Sequence, residues 1–380
     1  MTTALLKELG EATQGVRGER SPVASPGIVS STTTLPPAWR SGPSGDVLWI
    51  DQARSVAALG VVILHVSAGV VWGVSDFTSF AWWVGNILDA AVRWCVPVFV
   101  MITGTLLLDF EQPMGSFSTF YFRRAARLCW PLFFWSALYL IWNGARDYLK
   151  SGHVNVDTLV GMLLAGQPHY HLWYLYMLLG LYFSAPFVRV LLQHLDVEQT
   201  LALCFSVFVF AFASALHHHV AGAAKGPFIL WFLPYLSYFM AGGILRRWKS
   251  SIDTRRIVII LISSVALTAI GCHVVAVRRD LPSGLYFYDY FSVTVIPMAL
   301  AVFLLLRNAP AMRILVELAP LSLGVYLVHP LFLECISRLG FEEWRFNPVW
   351  AIPIKVLLIL LLSLSAVWAI RRIPVLRRVV

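Results

Sequence analysis

The chain has 380 residues, 58% of them hydrophobic and only 13% charged, with a formal net charge of +9. A soluble domain is about 45–50% apolar and about 25% charged, so the composition excludes one and implies an all-α, polytopic membrane helix bundle. The basic excess does not point to nucleic acid, because Lys and Arg cluster at the ends of apolar segments, where they orient a membrane protein.

In chain order, residues 1–46 come first, with the stretch "SPVASPGIVSSTTTLPPAWRSGPSG". A segment this rich in Ser, Thr, Pro and Gly buries too little surface to fold, so a disordered cytoplasmic tail is expected. It has no apolar signal-peptide core, and no cleavage or export of this end is expected. Residues 47–380 form the expected transmembrane domain. Ten apolar segments have roughly the length needed to span, at 48–71, 84–108, 127–145, 171–192, 199–217, 228–245, 257–277, 287–306, 314–337 and 350–370. With the N-terminus inside, 19 of the 29 Lys and Arg fall on the inward side and 7 on the outward side. This follows the positive-inside rule and predicts that both termini are cytoplasmic. The five cysteines are scattered through apolar segments without a CxxC pair, so neither a disulfide framework nor a metal site is indicated.

The first span, "WIDQARSVAALGVVILHV" (49–66), carries Asp51, Arg54 and His65. Ionisable residues inside a bilayer are expensive and mark function by default. At about 100° and 1.5 Å per residue, Arg54 and His65 share one face about 16 Å apart, and Asp51 is one turn from Arg54. In the second span Asp89 and Arg93 are spaced i, i+4 at a depth close to that of His65. His329 and Tyr326 occupy the outer half of the ninth span, and His171 opens the fourth. On the inner side Arg123, Arg124 and Arg127 lie at helical spacing, and arginine forks match phosphate. Each feature has a structural alternative. Arg93 and Asp89 make a packing pair, His329 bonds a carbonyl freed by Pro330, and His171 is an interfacial anchor. The three arginines are then positive-inside anchors, and the run His217-His218-His219 sits at an interface with no acidic partner nearby.

Taken together, these segments resemble the acyltransferase 3 family of membrane acyltransferases. "DQARSVAALGVVILH" is similar to its first-span signature, and "VPVFVMITGTLLL" (96–108) to its second-span motif. "FRRAARLCWPL" matches the basic third motif, "HLWYL" the His-Leu-Trp motif and "LSLGVYLVHP" the late Tyr-x-x-His-Pro motif, while "YFMAGGILRR" (238–247) fits a Gly-containing segment before a basic loop. The resemblance covers roughly 47–370, in order. Gln52 departs from the small residue usual there, with no consequence expected. The chain stops after the tenth span, so transfer is expected to be completed by the membrane domain or a separate protein.

The resemblance implies transfer of an acyl group, by default acetyl, from cytoplasmic acyl-CoA to a sugar hydroxyl of an exopolysaccharide or other surface glycan. The setting implied is the bacterial inner membrane. Acetyl-CoA is then a co-substrate, and no permanently bound cofactor is expected. The expected partners are a glycan or lipid-linked oligosaccharide acceptor, membrane lipids and polysaccharide-assembly proteins. Arg54, Arg123, Arg124 and Arg127 would hold CoA phosphates. His65 would be the general base and Arg93 the oxyanion donor, with Asp51 in the catalytic set. His171, Trp173, Tyr326 and His329 would bind the acceptor. Two other readings remain open: a transporter whose charged residues line a path, and a non-catalytic component of polysaccharide assembly.

Overall fold

A computed structural model describes residues 45–109, 115–222, 226–247 and 252–380. The expected tail lies outside these residues up to position 44, as do Lys225 and Lys249 of the charge pattern. The described residues are helices joined by turns, with no strand among them. In chain order the helices are α1 (Gly45–Gly73), α2 (Phe80–Val92), α3 (Cys95–Leu107), α4 (Phe117–Ser151), α5 (Val156–Leu164), α6 (Trp173–His194) and α7 (Val197–Ala221). They continue with α8 (Phe232–Arg247), α9 (Thr254–Arg278), the single turn α10 (Leu281–Gly284), α11 (Val295–Asn308), α12 (Arg313–Leu318), α13 (Ser322–Arg338) and α14 (Pro348–Arg372).

Among the described residues nine helical segments are long and apolar enough to cross a membrane. They coincide with nine of the ten expected spans. The remaining one, 287–306, is only partly helical, because a 3-10 turn at Leu285–Tyr288 and an irregular stretch precede the 14-residue helix α11. The short third span expected at 127–145 is the middle of a 35-residue helix that runs through Pro131. The second span is broken at Arg93–Trp94, between α2 and α3. Pro97 explains the break: it has no N–H for the carbonyl of Arg93, and its ring collides with that carbonyl in a continuous helix.

Helix α1 is central and touches α2, α3, α11, α12, α13 and α14. One end of it is pinned by polar contacts. Gln52, only 3% exposed, accepts from the Met312 N–H at 2.6 Å and donates to the Pro310 carbonyl, and Ser55 Oγ donates to the Leu315 carbonyl at 2.6 Å. Gln52 is thus a bracket for the turn between α11 and α12, contrary to the expectation that its identity has no consequence. Helices α3 and α8 cross at Gly104 and Gly242, where an added Cβ would stand 1.8 Å from the Phe239 carbonyl oxygen and 1.9 Å from that of Met101. Such backbone contact through small residues is how membrane helices gain van der Waals energy where lipid removes the hydrophobic driving force.

Candidate active site

Pro330 lies inside α13 and has no N–H to give to the Tyr326 carbonyl four residues earlier. The imidazole of His329 takes its place: Nδ1 lies 2.8 Å from the Tyr326 oxygen and 3.1 Å from that of Val325. Carbonyls only accept, so this Nδ1 carries the proton and Nε2 has the lone pair. His329 Nε2 is 3.3 Å from Nδ1 of His65, which is itself 2.8 Å from the Val61 carbonyl. Nδ1 of His65 is therefore a donor, shared between Val61 and His329. In the neutral ring that leaves the Nε2 of His65 unprotonated. His329 is fully buried, whereas His65 is partly open. The pair amounts to one oriented base on α1, held by α13.

A second chain of groups adjoins it. Glu334, also on α13, accepts from His169 Nε2 at 2.9 Å and from the Trp142 indole at 2.9 Å, with Arg146 at 3.8 Å. His169 Nδ1 is 2.9 Å from His171 Nδ1, so one proton lies between the two rings. His171 is buried and its Nε2 has no hydrogen-bond partner among the described residues. Its ring is edge-on to that of His329, 5.8 Å between centroids, and its backbone carbonyl accepts from the Tyr326 hydroxyl. Tyr139 stacks on His169 at 4.2 Å. The line Glu334–His169–His171 thus ends against the His329–His65 pair.

Arg93 sits at the break between α2 and α3. It is ion-paired to the buried Asp89 at 2.5 Å, lies over the Tyr288 ring at 4.0 Å, and keeps a buried Nε–H without a hydrogen-bond partner among the described residues. Arg93 and His169 are both electrostatic neighbours of His65. Arg93, Tyr170 and Trp173 also line a cavity of about 970 Å³, together with His217, His218, His219 and Asp289. Tyr170 is in ring contact with His65, 5.3 Å between centroids, so the cavity adjoins the base. His219 does have an acidic partner, contrary to expectation: Asp289 is 3.3 Å away, brought from a loop 70 residues further along the chain.

The arginines gather elsewhere. Asp51 and Arg54 form an ion pair at 3.1 Å, about 21 Å and about 16 Å along α1 from His65 by helical rise. Asp51 therefore holds Arg54 and does not reach the base. Around Tyr182 of α6 the charges of Arg54, Arg124 and Arg127 converge, and Arg123 neighbours Arg124. The guanidinium of Arg124 lies over the Phe120 ring at 4.6 Å.

The sequence-derived candidates therefore fall into three groups. His65, His329, His171 and Tyr326 meet at one point. Arg93 and Trp173 line the adjoining cavity, and Asp51 with the arginines makes a separate basic end. Glu334, His169, Tyr170, Asp289 and Tyr182 were not singled out. A carboxylate inside an apolar span was the available signal for Glu334, and the spacing to His171 was the one for His169. No cluster of three or more His, Cys, Asp or Glu fit to hold a metal occurs among the described residues. The model of the acyltransferase 3 family, described as an acyltransferase domain, matches residues 47–371, while no curated protein and no solved structure matches.

Proposed function

Because the chain belongs to the acyltransferase 3 family, a family of multi-pass membrane acyltransferases, we propose that it moves an acetyl group from acyl-CoA to a sugar hydroxyl of an exopolysaccharide or other surface glycan. In this reading it lies in the bacterial inner membrane with both termini and the arginine end in the cytoplasm. The observation that carries the reading is the single helix α1 joining a basic end at Arg54 to a base with a fixed tautomer at His65.

Arg54, Arg123, Arg124 and Arg127 bind the phosphates of CoA, with Asp51 orienting Arg54. The long arm of CoA spans the distance along α1 and brings the thioester to His65. Nε2 of His65 takes the proton of the acceptor hydroxyl as its oxygen attacks the thioester carbonyl. The Nε–H of Arg93 stabilises the oxyanion. The C–S bond then breaks, and the imidazolium returns the proton to the leaving thiolate. His329 and Tyr326 are positioning residues in this scheme, since both are buried behind His65 and His171. No cofactor is held permanently.

The test is transfer of labelled acetyl from acetyl-CoA to host polysaccharide in membranes. Replacing His65→Ala is expected to lower the rate by about 10²–10⁴-fold while expression and CoA binding persist. Acetylation at the parental rate in that variant would overturn the mechanism.

A further inference from the structure

The cavity beside Arg93 has two unlike walls. One is aromatic and polar. Trp173 stacks on Tyr290 with ring centroids 6.1 Å apart and sits 5.8 Å from Tyr235, and Asp289 holds His219 at 3.3 Å while accepting from the Phe291 N–H at 2.8 Å. Rings with polar tips combined with an anchored carboxylate suit a hydroxylated ring, whose C–H face stacks and whose hydroxyls donate to the carboxylate. The other wall is built from α7, the 3-10 turn Phe228–Leu230 and the start of α8, which belong to two membrane spans. Phe210, Leu230 and Leu233 line it and are 75%, 47% and 44% exposed. Only 17% of the apolar window of α7 is buried within the protein, so this face meets lipid chains rather than other helices.

A soluble polymer entering here would have to pass an apolar lip lying in the bilayer. An amphipathic molecule would not, because its lipid chain replaces bilayer lipid along Phe210 and Leu233 while its polar head enters. The volume of about 970 Å³ is at the upper end of small-molecule sites and leaves room for a head of one or two saccharide rings. We propose that this cavity binds the acceptor as a membrane-borne, lipid-linked saccharide that enters sideways between α7 and α8. Asp289, His219, Trp173 and Tyr235 hold the sugar, beside His65. The identification of the sugar as the group acetylated rests on the function proposed above; the amphipathic preference rests on the walls.

The experiment uses the full chain in lipid nanodiscs, with the photo-crosslinking residue p-benzoylphenylalanine replacing Phe210 or Leu233. Phe205, on α7 and 69% exposed but not lining the cavity, is the control position. The probe is the total lipid-linked saccharide fraction of the producing cells. The competitors are the same saccharides released from lipid by mild acid, and the lipid carrier without sugar. The expected result is capture of saccharide-lipid at 210 and 233 well above that at 205, resistant to either competitor, and lowered about tenfold by Asp289→Asn, the scale of one lost polar contact. Equal capture at all three positions, displacement by the released saccharides, or indifference to Asp289→Asn would overturn it. Acetyl transfer is measured in the same nanodiscs. Selective capture without transfer would uphold the cavity and refute the acyltransfer assignment.

Discussion

Replacing Gly104→Ala tests the helix crossing that holds the site together. The new Cβ would meet the Phe239 carbonyl oxygen at 1.8 Å, where about 3.2 Å is the closest comfortable approach, so α3 and α8 must part by more than 1 Å. Neither atom can turn aside, since the Cβ is fixed by the α3 backbone that carries it and the oxygen belongs to the α8 backbone. Overpacking of this kind costs about 1–3 kcal/mol. Parting the helices also weakens the bond from Thr105 Oγ1 to the Gly242 carbonyl, now 3.0 Å, and that from Arg246 to the Thr105 carbonyl, now 3.1 Å, at about 1 kcal/mol each. The expected loss is about 3–5 kcal/mol. Gly161→Ala on α5 is the control, since nothing lies within 4 Å of its added Cβ and alanine is the better helix former by about 0.5–1 kcal/mol. Unfolding temperatures in detergent should drop sharply for Gly104→Ala and stay level or rise for Gly161→Ala. Because α3 begins beside Arg93 and α8 carries Tyr235 of the cavity wall, kcat/KM for the acceptor should fall while the KM for acetyl-CoA is kept. A Gly104→Ala protein as stable as the parent would refute close backbone contact at this crossing.

Three further outcomes follow from charged side chains. Glu343→Gln strands Lys355, which is 1% exposed and, among the described residues, otherwise bonded only to Ser337 Oγ and the Phe341 carbonyl. It should destabilise by about 3–5 kcal/mol, and adding Lys355→Met should recover most of that in the same unfolding assay. Glu334→Gln keeps an acceptor for His169 but removes the carboxylate charge that strengthens their hydrogen bond. The expected result is kcat lowered about tenfold, the scale of a lost charge-assisted bond, with KM for acetyl-CoA and unfolding temperature unchanged; an unchanged kcat would make the chain of histidines purely structural. Arg124→Ala combined with Arg127→Ala should raise the KM for acetyl-CoA at least tenfold and flatten its dependence on salt, whereas a parental KM would return both residues to the role of membrane anchors.

The spans were legible because bilayer thickness imposes one length on every crossing helix, and a window of apolar residues reports it directly. What broke that pattern was chemistry inside the window. Pro97 stood in the sequence, yet the helix break it causes at Arg93 depends on whether neighbours can satisfy the freed carbonyls, which is tertiary information. The face shared by Arg54 and His65 needed only helical spacing, and α1 carries both residues. Pairings between distant segments were out of reach: Asp289 reaches His219 across 70 residues and Glu334 reaches His169 across 165. Gln52 was passed over for a similar reason, since its partners at 310 and 312 lie on a turn far along the chain.

His329 shows why structural and functional explanations of a residue need not compete. The structural one has it bonding the carbonyl freed by Pro330, and the distance of 2.8 Å to the Tyr326 oxygen agrees. That bond, however, fixes the proton on Nδ1 and leaves Nε2 facing His65 with a lone pair. The acceptor so created draws the Nδ1–H of His65 toward it, which leaves the other nitrogen of His65 unprotonated. A proline inside a helix, ordinarily a defect to be repaired, is thus the origin of the tautomer on which a base at His65 depends. Restoring the N–H with Pro330→Ala would give the Tyr326 carbonyl a second donor and loosen the hold on His329. By this logic the Tyr-x-x-His-Pro run works as one unit: Pro330 frees a carbonyl, His329 satisfies it, and His65 inherits the orientation.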